Sequence, residues 1–166
     1  MPITPFHFGP GALLHAIAPR HVSFTAFCAT NVLIDLESLY NLVHQRSPVH
    51  AFFHTYVGAT LAALACVLAF LILAKAWAVL PLPRLRDWKP PSLRQVAIGA
   101  ALGAYSHVAL DSLMHRDIAP LAPVTTDDAL LGLVSLGTLH WACLLAGMLG
   151  LAVLGVRKIL AGADTA

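Results

Sequence analysis

Charged residues are scarce in this 166-residue sequence, making up 11% of it, with ten Lys and Arg against eight Asp and Glu. An ordinary soluble domain carries about a quarter. That shortage, set beside 58% apolar residues, excludes the usual soluble class and points to a membrane protein. Cysteine is sparse as well. Cys28, Cys66 and Cys143 stand singly with no Cys-x-x-Cys pair. A disulfide framework and a thiolate metal site are therefore excluded, and the three read as small packing or lipid-facing residues. The net charge of +2 is too small to draw the chain to nucleic acid. Residues 1–18 hold no Lys or Arg, and the first, Arg20, comes after the apolar stretch, so the N-terminus does not read as a cleaved signal peptide. Internal repeats and low-complexity stretches are also missing.

What is present is a set of long charge-free runs at 56–74, 95–110 and 129–156, with a weaker one at 22–42 that Asp35 and Glu37 interrupt. A helix of roughly 20 apolar residues crosses the hydrocarbon core. The expectation is an all-α polytopic bundle forming one integral membrane domain over 1–166, with membrane helices at 22–43, 48–79, 95–115 and 129–156. Residues 8–19, bounded by Gly9-Pro10-Gly11 and Pro19, make a helix too short to cross, hence interfacial or re-entrant. Ser47-Pro48 reads as the cap and first residue of the second span. The proline-rich segment 80–94 carries Arg84, Arg86, Lys89 and Arg94 against Asp87 and reads as a cytoplasmic loop. Counting spans outward puts Arg20 and Arg157-Lys158 on the same side and Arg46 and Arg116 outside. Lys75 lies near the inner end of its span, where it can snorkel.

Ionisable groups inside spans are expensive and face a protein interior or a water-filled cavity. Here they recur at helical spacing. The third span has Gly99, Gly103, His107, Asp111 and His115 at every fourth position. The glycines allow close helix packing, and the last three share one broad face. His50 and His54 repeat the spacing in the second span, where two imidazoles a turn apart can grip a divalent ion. In the first span Asp35 and Glu37 point about 200° apart, and Asp35, which shares a stripe with Asn31, is the one expected to face the interior. The topology brings Asp35, His50, His54, His107, Asp111 and His115 to one level in the outer half of the membrane. Imidazole and carboxylate donors without thiolate suit zinc, iron or manganese, and six candidates leave a two-metal site open. The bland reading is a structural polar network. His140 reads as a packing residue in the fourth span; His15, His21 and His44 read as interfacial, and Asp117, Asp127 and Asp128 as solvated or capping loop residues.

These motifs resemble the bacterial inner-membrane, metal-dependent hydrolases. The likeness runs from Pro-Phe-His7-Phe-Gly-Pro-Gly through Asn31-Val-Leu-Ile-Asp35-Leu-Glu37 and Pro48-Val-His50-Ala-Phe-Phe-His54-Thr to Ser106-His107-Val-Ala-Leu-Asp111-Ser. That family is grouped with zinc-dependent phospholipase C and single-strand nucleases. The resemblance implies that His7, Asp35, one or both of His50 and His54, His107 and Asp111 are metal ligands, with His115 a further candidate. This chain has Glu37 where a second aspartate is usual and spaces His50 and His54 four rather than five apart.

The expected activity is hydrolysis of a phosphoester or other ester, lipid-linked by virtue of the site's depth, through water activated by one to three zinc or similar ions. Asp35 would serve as ligand and proton acceptor, with Glu37 a supporting or base residue. The alternative is a non-enzymatic metal-binding or ion- or proton-coupled membrane protein; an intramembrane metalloprotease is a third reading, weakened by the missing Glu beside the histidines. The expected setting is a bacterial inner membrane with lipids as partners, no nucleic acid, and both termini cytoplasmic or the N-terminus re-entrant. His7 is expected to meet the metal from the outer side.

Overall fold

Among the described residues, four of the five α-helices begin where a hydroxyl side chain takes up an otherwise unpaired backbone N–H. Ser23 accepts from the amide of Ala26 and opens one helix; Ser92 accepts from Gln95, whose side chain returns to the Ser92 amide in a capping box, and opens another. The computed structural model describes residues 4–79 and 90–163. A 3-10 turn, Thr4–His7, leads into α1 (Phe8–Ile17); α2 (Phe24–Val43), α3 (Tyr56–Val79), α4 (Leu93–Ser112) and α5 (Leu136–Ala163) follow. Every regular element among the described residues is helical.

Two of these helices are long and apolar enough to cross a membrane, over Tyr56–Trp77 and Leu136–Ala161. Only 17% of the residues in either span's most apolar window are buried inside the chain, which sets both apart from the core helix of a soluble fold. Leu64, Leu68 and Ile72 on α3 and Leu145, Met148 and Leu149 on α5 point outward. The four spans expected from the sequence reduce to two by this measure, because Asn31, Asp35, Glu37 and Asn41 interrupt α2, and Arg94, Gln95, His107 and Asp111 interrupt α4.

Three boundaries differ from the sequence reading. The second long helix starts at Tyr56 instead of 48, with Thr55 as the cap accepting from Gly58; residues 48–55 form an irregular segment ending in a 3-10 turn, Phe52–His54. Its amides are claimed by carboxylates. Glu37 takes those of Phe52 and Phe53, and Asp117 takes those of Val49 and His50, so helical bonding loses its advantage there. Secondly, α4 stops at Ser112, leaving His115 in the turn beyond it. Lastly, α5 begins at Leu136, where Ser135 accepts from Thr138, instead of at 129, and continues past 156. Most of the basic loop, residues 80–89, lies outside the described residues.

α2 and α4 run side by side in the same direction. The Cβ-less faces of Gly99 and Gly103 lie against the backbone of Ser23 and Phe27, where a side chain would collide. Ala26, Val96 and Ala100 pack near the start of the pair, and Ile34, Ala59, Ala62, Ala104 and Val108 higher up, joining α3 in the opposite sense. α1 descends alongside α5, Gly9 near Cys143 and Gly150 near Ala12. Gln95 donates to the Pro19 carbonyl and Arg157 to that of Ile17, so Arg20, Arg94 and Arg157 gather at one end. Arg46 and Arg116 lie at the other, where Tyr56 bonds Pro120 and Gly132 bonds Leu113.

Candidate metal centre

The close α2–α4 approach sets Asn31 opposite His107 and Asp35 opposite Asp111. Asn31 is completely buried, and its amide nitrogen donates to the Phe27 carbonyl at 2.8 Å. That fixes its oxygen as the acceptor for His107 Nδ1, 2.9 Å away. The His107 proton is therefore held on Nδ1, and Nε2 presents a lone pair to the interior. His54 comes from the irregular segment before α3. Its Nδ1 faces the Ser38 hydroxyl at 3.5 Å, which turns Nε2 inward as well.

Four atoms converge as a result. His107 Nε2 is 3.3 Å from His54 Nε2, 3.3 Å from Asp111 Oδ2 and 3.3 Å from Asp35 Oδ1; His54 Nε2 is 3.4 Å from Asp111 Oδ2 and 3.7 Å from Asp35 Oδ1. Tetrahedral zinc with bonds of 2.0–2.1 Å separates its ligand atoms by about 3.3–3.4 Å. The group could hold a metal ion. His54, His107 and Asp111 are sealed from solvent, whereas the Asp35 side chain is 25% exposed, so the cluster opens past Asp35.

His7 lies against the cluster. It is buried, stacks on the His107 ring with centroids 4.4 Å apart, and sets Nε2 3.1 Å from Asp111 Oδ1. Neither His7 Nδ1 nor Asp111 Oδ1 makes an aligned hydrogen bond. Asp111 thus turns one oxygen to the four-atom group and the other to His7 Nε2.

Comparison with known protein families, curated proteins and solved structures finds no match.

The remaining candidates stand apart from the four-atom group. The rings of His50 and His115 lie against one another at a tilt, centroids 4.0 Å apart, and the two form a separate group with Asp117. Burial and the adjacent His50 push the His115 imidazole down to about 4. Burial pushes the Asp117 carboxyl up, but hydrogen bonds from the backbone and ring of His50 outweigh it and hold the group below its ordinary value. Glu37 points away from the cluster and anchors the turn that carries His54. His140 stacks on Phe6 at 4.5 Å; His15 and His44 bond to the carbonyls of Val22 and Tyr40. Sequence reasoning did not find Asn31 and Ser38 as partners of His107 and His54, nor Asp117 as the partner of His50. The helical stripe that Asn31 shares with Asp35 was the signal the sequence offered.

Proposed function

We propose that this chain is a membrane-embedded, zinc-dependent hydrolase of the bacterial inner membrane, acting on a phosphoester or other ester carried by a lipid. The observation that supports it best is the near-tetrahedral set of Asp35, His54, His107 and Asp111. Two carboxylates and two imidazole lone pairs aimed at one point, most of them desolvated, call for a cation. The donor set, nitrogen and oxygen without sulfur, suits zinc. Zinc held there by His54, His107 and Asp111 would supply Lewis acidity and, with the place facing Asp35 left open, a water with a pKa of about 7. The resemblance to inner-membrane metal-dependent hydrolases agrees with this reading.

The chain's own residues divide the remaining work. Asp35, on the open edge, is placed to accept a proton from an approaching water, while Asn31 and Ser38 orient the imidazoles and Glu37 holds the His54 turn. An apolar groove of about 440 Å³ between α1 and α5, bordered by Phe6, Phe8, Gly9, Cys143 and Met148, runs beside His7 and suits a hydrocarbon chain. With the Arg20, Arg94 and Arg157 end in the cytoplasm, the site opens on the extracytoplasmic side at headgroup depth.

A complete four-ligand set is also what a structural metal site has, and this favours the non-enzymatic reading as the second one. The purified protein in detergent, assayed against a panel of phosphoesters and phospholipids, separates the two. Hydrolysis that chelation abolishes and zinc restores supports the enzyme; bound zinc with no hydrolysis across the panel supports the structural site.

A further inference from the structure

We propose that His50, His115 and Asp117 form a second, separate divalent-metal site that clamps the segment carrying His54 to the turn that follows Asp111. One donor atom from each of the three lies within 4.8 Å of the others. None of them belongs to the four-atom group, although the His50 and His54 rings meet edge to face at 4.8 Å. The two sites would therefore be neighbours that share no ligand.

The three residues arrive from two places far apart in the sequence and are held firmly. Asp117 Oδ2 accepts the amides of Val49 and His50 at 3.0 and 3.1 Å, which leaves Oδ1 facing His50 Nδ1 at 2.8 Å. His50 is 8% exposed, and its ring lies against that of His115. His115 Nε2 is buried with no hydrogen-bond partner among the described residues, a costly state for a lone imidazole nitrogen and an ordinary one for a ligand. Two imidazoles and one carboxylate suit zinc and leave one coordination position for water. For the ion to bind His50 Nδ1, the proton on that nitrogen moves to Nε2, and the ion takes its place beside Asp117 Oδ1. The segment at 48–55 has no helical bonding of its own before its final turn, so a clamp there would steady His54.

The test is zinc-edge anomalous diffraction from the full chain soaked at saturating zinc, together with zinc content of His115→Gln and Asp111→Asn. A peak bounded by His50, His115 and Asp117 is expected, along with loss of one zinc equivalent in His115→Gln and retention of that zinc in Asp111→Asn. No peak at that position in the wild-type crystal overturns the proposal, whether or not either variant folds. A peak at His50, His115 and Asp117 without one at Asp35, His54, His107 and Asp111 would support this site and count against the hydrolase reading instead.

Discussion

Asn31 shows how a single buried amide can decide what an imidazole does. Its nitrogen is committed to the Phe27 carbonyl, so its oxygen must receive the His107 proton and leave Nε2 free for a metal. Asn31→Leu keeps the volume and removes the acceptor. Outer-shell partners of this kind are worth about 10–100-fold in metal affinity. The variant should lose zinc affinity by that factor in competition with a chromophoric chelator, and unchanged affinity would show that Asn31 merely packs. At this scale the sequence was informative about types and weak about pairs. The preference for Asp35 over Glu37 followed from helical angles alone, since residues two apart cannot share a face. The pairing of His50 with Asp117 spans 67 positions and depends on two loops, so no local pattern carries it.

At the scale of elements, the site depends on how near α2 and α4 come. A Cβ on Gly103 would sit 2.6 Å from the Phe27 carbonyl oxygen and 3.1 Å from Asn31 Nδ2. Gly103→Leu should push the helices apart, lowering stability by about 1–3 kcal/mol and weakening metal binding through the Asn31–His107 pair. Gly155→Ala, with open space around it, is the control and should leave the melting temperature unchanged or slightly higher. Equal melting temperatures for the two variants in detergent would refute the close-packing account. The small-residue spacing was legible because it needs only one helix. The segment at 48–55 was misread as helix because the carboxylates that capture its amides, Glu37 and Asp117, come from other parts of the chain.

Across the whole molecule, charge and depth act together. Arg20, Arg94 and Arg157 sit at the end away from the cluster, and Arg46 and Arg116 at the end near it. In a cysteine-free background, Arg46→Cys should react with an impermeant thiol reagent applied to intact cells and Arg94→Cys should not. The reverse pattern would move the site to the cytoplasmic face. That the basic residues fall at two opposite ends was readable from sequence, whereas the crossing of α2 and α4 cannot be judged from composition once their polar residues turn inward. The central claim is that Asp35, His54, His107 and Asp111 together hold a metal. Its most direct test is zinc K-edge absorption of the purified Asp117→Asn, His115→Gln chain, in which only the inner group remains. Nitrogen and oxygen scatterers at about 2.0–2.1 Å, two of them imidazole, are the predicted result. A chain that stays folded yet retains no zinc would contradict it.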